Sequence, residues 1–99
     1  MRQAQTYTHM EIPKLIPCPT PSKTVELVGY DGPNRILYIQ YIPSKKLYRY
    51  HDFLPKNYKM LLESKSVGVH LRKYVVPNHY EEAVQLLDRS IEKLHYDAK

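Results

Sequence analysis

The sequence predicts one α+β domain: a three-stranded antiparallel meander packed with a helix after Pro55, a short element near Leu71 and a C-terminal helix. Three observations carry that prediction. Residues 24–30, 35–42 and 46–51 are dense in β-branched and aromatic side chains and are joined by short turn-forming stretches. Pro55 opens a segment in which Tyr58, Leu61 and Leu62 fall on one helical stripe. Asn78 precedes a longer helical pattern, with Val84, Leu87, Ile91 and Leu94 on one face. At 99 residues the chain has material for one modest core.

Each element has a local reason. Residues 1–22 contain Pro13, Pro17, Pro19 and Pro21, which remove backbone donors and favour an extended arm. Ile12, Leu15 and Ile16 mark part of that arm as packed on the domain. Asp31-Gly32-Pro33-Asn34 is a turn between the first two strands, and Pro43-Ser44-Lys45 is a second turn before the third. Pro55 suits the first helical position, where a missing N–H costs nothing. Leu54 is then the cap, and Phe53 and Tyr58 stand where a hydrophobic staple would join them. The helix runs out at Ser64-Lys65-Ser66-Val67-Gly68, with Gly68 at the break. Residues 69–76 suit either a short helix, through Leu71 and Val75, or a strand, and Pro77 stops both. Asn78 caps the final helix, with Glu81 and Glu82 in its first turn. The domain proper is thus residues 23–77, with the arm before it and an amphipathic helix, 78–99, added after it.

Composition narrows the function classes. Cys18 is the only cysteine, so neither an intrachain disulfide nor a cysteine-based zinc site can form. His9, His51, His70, His79 and His95 show no metal-ligand spacing, and no cofactor motif is present. No apolar run reaches the roughly 20 residues of a membrane span, and residues 1–6 lack the apolar stretch of a signal peptide. A reducing cytoplasm is the expected setting. Ten tyrosines stand against one phenylalanine and no tryptophan, and the net charge is +5. The charge is uneven: residues 35–74 hold nine basic and two acidic side chains, whereas residues 79–99 have a slight acidic excess. A basic middle points to an anionic partner or to a merely solubilising surface.

The ordered set Val28-Gly29-Tyr30-Asp31, Leu37-Tyr38-Ile39, Tyr48-Arg49-Tyr50, Leu54-Pro55, Tyr58, Leu61-Leu62, Ser66 and Gly68 resembles the KTSC domain, over about residues 23–76. That short domain is named after the C-terminus of some lysyl-tRNA synthetases and also occurs alone in small bacterial and phage proteins. The resemblance implies the fold and no settled activity; RNA binding is what the synthetase context implies. This chain carries Ser44-Lys45-Lys46 where the family's usual turn glycine would precede the Tyr-x-Tyr. It carries His70, Leu71 and Arg72 after Gly68 in place of an aromatic pair and Asn.

Strand alternation divides the candidate residues. Tyr48 and Tyr50 share one face of the third strand and are expected to pack under the Pro55 helix. Arg49 and His51 face away, and a plausible register adds Tyr38 and Tyr30 to them. If that outer face is open, Tyr38 and His51 would stack or orient bases while Lys45, Lys46, Arg49, Lys56, Lys59, Arg72 and Lys73 contact phosphates. If the C-terminal helix docks there, the platform disappears; the same apolar stripe could instead serve a homodimer. Ser66 and Gly68, beside Lys65, Arg72 and Lys73, are a phosphate-loop candidate or an ordinary helix-ending turn.

The expectation is therefore a non-catalytic module for an anionic partner, RNA or single-stranded nucleic acid first. The alternatives are a protein-interaction module or phage-type effector working through a partner or homodimer, and a binder of a small anion such as a nucleotide. No Ser-His-acid or Cys-His set can be defended, so no catalytic residue is assigned.

Overall fold

In a computed structural model, which describes residues 12–85, the strands follow the chain in order across one antiparallel sheet. They are Ile16–Pro17 (β1), Val25–Asp31 (β2), Ile36–Tyr41 (β3), Leu47–Tyr50 (β4) and Glu81–Ala83 (β5). The sheet thus has five strands where three were expected. Helix α1, Pro55–Leu62, follows β4; helix α2, Val67–His70, continues directly into a π-helical segment, Leu71–Val75.

The turns form where the sequence places them. Asn34 is held by Asp31, its backbone N–H donating to Oδ1 at 3.3 Å and its side-chain amide to Oδ2 at 2.9 Å. Lys45, in the β3–β4 turn, has φ 61°, a left-handed conformation that costs an L-residue about 1–2 kcal/mol. Pro55 stands at the start of α1 with Leu54 as cap. Phe53 and Tyr58 both join the inner core, and Tyr30 binds them together. It stacks on Tyr58 at 4.9 Å between ring centroids, meets Phe53 edge-on at 6.3 Å, and donates its hydroxyl to the Phe53 carbonyl.

Residues 69–76 resolve as helical turns rather than a strand. Ser66 is the cap of α2, its side chain accepting from the Val69 N–H at 3.3 Å. Gly68 therefore lies inside a helix and not at a break. A Cβ there would stand 3.1 Å from Thr24 Oγ1, so glycine lets α2 approach the chain entering β2.

The register fixes two faces. Tyr30, Leu37 and Tyr50 align across the sheet on the helix side; Gly29, Tyr38, Arg49 and Glu82 align on the opposite side. Tyr30 thus lies under the helices and not beside Tyr38 as expected. The inner cluster joins Val28, Leu37, Ile39, Tyr50 and Phe53 to Leu61, Val67, Leu71 and Val75. The outer cluster consists of Leu15, Leu27, Ile36, Tyr38 and Leu47, with Ile12 and Val84 packed on it. The proline-rich arm is the cover: a Cβ on Gly29 would come within 2.5 Å of Leu15 Cδ2 and 2.8 Å of the Lys14 carbonyl, so only glycine admits the arm at this distance.

Glu81 and Glu82, expected in the first turn of a helix, instead sit in β5. Each finds a partner on β4, and that pairing outweighs local helical preference. Leu87, Ile91 and Leu94 of the expected C-terminal helix lie outside the described residues. No described helix is long and apolar enough to cross a membrane.

Candidate functional site

A cavity of about 620 Å³ opens between α1 and the turns that follow the π-helical segment. One wall carries Asn57 and Met60, at a helical spacing that places them on one face of α1, and Ser64 just past the helix end. Its other wall carries His70, Tyr74 and His79, with Phe53 at the back. The rings are already arranged against one another. Phe53 and His79 meet edge-on at 5.0 Å between centroids, and His70 and Tyr74 lie 4.9 Å apart, tilted by 52°. Tyr74 and Met60 are both more than half exposed.

Hydrogen bonds fix the polar edges. The His79 Nδ1–H donates to the His51 carbonyl at 2.9 Å, which ties the ring to the end of β4. Asn78 donates its side-chain amide to the Tyr74 carbonyl at 3.0 Å, closing the turn below the tyrosine. Burial lowers the His70 pKa, favouring a neutral ring at pH 7. Lys56 lies one helical turn before Met60, Lys59 one turn before Glu63, and Lys73 beside Tyr74; all three lysines are exposed. The arrangement offers planar surfaces inside, and each of the three lysines is the sequence neighbour of a lining residue: Lys56 of Asn57, Lys59 of Met60 and Lys73 of Tyr74. Glu63 is the one carboxylate among the residues lining it.

The opposite sheet face is different from the open platform considered above. Tyr38 is fully buried in the cluster that Ile12, Leu15 and Val84 close, and Arg49 is 4% exposed beside β5. The Arg49 Nε donates to Glu82 Oε1 at 3.0 Å, and His51 Nε2 donates to the same oxygen at 2.8 Å. Desolvation raises the Glu82 pKa, but the Arg49 and His51 bonds outweigh it and hold the carboxyl below its usual range. Burial likewise pushes the Tyr38 phenol up, against the opposing pull of Arg49. In this structure Tyr38 and Arg49 present no stacking or phosphate-binding surface; among the described residues Ile12 and Leu15 of the arm and Val84 pack on the cluster that holds Tyr38.

The remaining candidates separate. Lys56, Lys59 and Lys73 flank the helical cavity, and Arg72 faces a different hollow on the far side of α2. Lys45 pairs with Glu26 at 3.0 Å, and Lys46 is exposed in the β3–β4 turn. The Val67 N–H donates to Thr20 Oγ1 at 3.1 Å and the Val69 N–H to the Ser66 hydroxyl, so these groups of the Ser66–Gly68 stretch already have internal partners. Among the described residues no three His, Cys, Asp or Glu side chains group as a metal site. Tyr74, His70, His79 and Asn57 were missed from sequence. The available signal was the i, i+4 pair His70 and Tyr74, obscured because residues 69–76 read equally well as a strand.

A family model, the KTSC domain, matches residues 21–80. Among solved structures, a KTSC domain protein from Yersinia pestis superposes with a TM-score of 0.66 at 20% identity, covering 72% of this chain and 96% of that one. At that identity the likeness is one of fold. No curated protein matches the chain.

Proposed function

The chain belongs to the KTSC domain family, and from that premise we propose that it is a non-catalytic binding module for single-stranded nucleic acid, RNA first, with the helical cavity as its site. One observation carries the reading: the cavity of about 620 Å³ places Tyr74, His70 and His79 together, with lysines on the adjoining surface. A base needs a ring to stack on, and its phosphates need cations outside the apolar space. Tyr74 is the exposed ring best placed to stack. Asn57 and Ser64 supply neutral polar groups for a base edge, while Lys56, Lys59 and Lys73 serve the backbone. Glu63 disfavours a phosphate inside the cavity, which orients the base inward and the backbone outward. The basic excess over residues 35–74 supports an anionic partner of this kind.

The test is a fluorescence-anisotropy titration of short labelled RNA and DNA, single- and double-stranded, at several salt concentrations. Single strands should bind most tightly, with affinity falling as salt rises. Tyr74→Ala should weaken single-strand binding by roughly 5- to 150-fold, the equivalent of about 1–3 kcal/mol for one stacked base. Binding that ignores both salt and Tyr74→Ala, or its absence for every nucleic acid, rejects the proposal.

A further inference from the structure

On the far side of α2 a second hollow, of about 330 Å³, lies between the helix and the β3–β4 turn. Its surface is formed mainly by Val25, Leu71, Tyr41, Pro43 and Val76. Val25 and Leu71 are core residues, and Val76 is 43% exposed at the mouth. The Tyr41 hydroxyl is already bonded to that of Tyr50 at 2.6 Å. Among the described residues Arg72 is the one charged side chain in the lining. It stands over Gly68, with Nη1 4.0 Å from the point a Cβ there would occupy. Among the described residues the Arg72 guanidinium makes no hydrogen bond or ion pair, and no carboxylate lines the hollow to neutralise it.

We propose that this slot binds a small carboxylate with an apolar tail, the hydrocarbon against Val25, Leu71 and Val76 and the carboxylate on the Arg72 guanidinium. The planar fork of arginine matches a carboxylate through two parallel hydrogen bonds. One cation beside largely apolar walls suits a monoanion carrying hydrocarbon better than a phosphate dianion. The volume stands at the lower end of the roughly 300–1,000 Å³ typical of ligand pockets, which favours a short or medium chain over a long one. The site shares no lining residue with the helical cavity, so it stands whether or not nucleic acid binds there.

The test uses the whole chain, ¹⁵N-labelled, titrated with octanoate, octanol and butyrate by NMR. Octanoate should shift the amides of Gly68, Leu71 and Val76 together. Octanol, lacking the charge, and butyrate, lacking the tail, should each bind more weakly. Arg72→Gln should cost about tenfold or more in octanoate affinity, as expected for loss of a charge-assisted contact, and leave octanol unchanged. Arg72 is exposed, so the fold should survive; if that variant does not fold, Val76→Glu should weaken octanoate through like charge at the mouth. Equal binding of octanoate and octanol, indifference to Arg72→Gln, shifts centred elsewhere, or no binding overturns the proposal. A dimer in sedimentation that Arg72→Gln dissociates would also overturn it, since the slot would then be an interface between copies.

Discussion

Arg49 and Glu82 form an ion pair across β4 and β5, with Arg49 Nε donating to Glu82 Oε1 at 3.0 Å. The guanidinium is almost wholly buried and the carboxylate is partly so. β5 is only three residues long, and its two glutamates anchor it to β4. Removing one charge leaves the other in a poorly solvated position, so the cost of breaking the pair exceeds its net worth.

Glu82→Gln should therefore destabilise the domain by about 2 kcal/mol, the scale of a hydrogen bond to a charged partner. Urea denaturation checks it. Combining Glu82→Gln with Arg49→Met should cost less than the two single changes added together, because the second change removes the stranded charge.

Acid should loosen the same strand. Desolvation works against ionising Glu82, but Arg49 and His51 bring its folded pKa below the ordinary 4.5. Folding thus favours the ionised form. That stabilisation is present above about pH 4.5 and is lost as pH falls through the lowered value. Amide protection in β5, taken relative to the intrinsic exchange rate at each pH from 6 to 3, should fall before that of the β2–β3 pair; simultaneous loss of both would contradict this.

At the alkaline end Tyr50 works in the opposite direction. Burial, followed by hydrogen bonds to Glu81 and Tyr41, pushes its pKa above the usual 10. The folded chain keeps that proton while the unfolded chain releases it, so this contribution is present below about pH 10 and declines above it. Tyr50→Phe should cost about 1 kcal/mol at pH 7 and flatten the loss of stability between pH 9 and pH 11 in chemical denaturation.

Lys45→Gly should stabilise the domain by up to about 1 kcal/mol, because glycine adopts the left-handed φ of 61° without a Cβ clash. The ion pair it forfeits with Glu26 is solvent-exposed and contributes little. A raised Tm would confirm it, and a lowered one would show that Lys45 does more in the turn than span it.

Much of the fold was legible because its signals are local. Alternation identified the three central strands, Pro55 identified the start of α1, and Ile12 and Leu15 identified an arm that packs. What was not legible depended on partners distant in sequence. Glu81 and Glu82 suit a helix start until Tyr50, Arg49 and His51 are set opposite them. The faces of Tyr30 and Tyr38 depended on a register that places Gly29, not Tyr30, opposite Tyr38. The candidate site was less legible than the fold. Arg49 and Tyr38 looked like an exposed basic and aromatic pair, but Tyr38 packs with Leu15 and Val84, from opposite ends of the described chain, and Arg49 is buried and paired with Glu82.

That cover separates two boundaries that are easily taken as one. The family match spans residues 21–80, yet Ile12, Leu15, Glu82 and Val84, which close the outer face, all fall outside it. The matched stretch is a unit of ancestry and is smaller than the packed unit seen in the structure. A polypeptide cut to those residues would carry Tyr38, Leu47 and Arg49 on a bare sheet, with β4 as a new unprotected edge open to association.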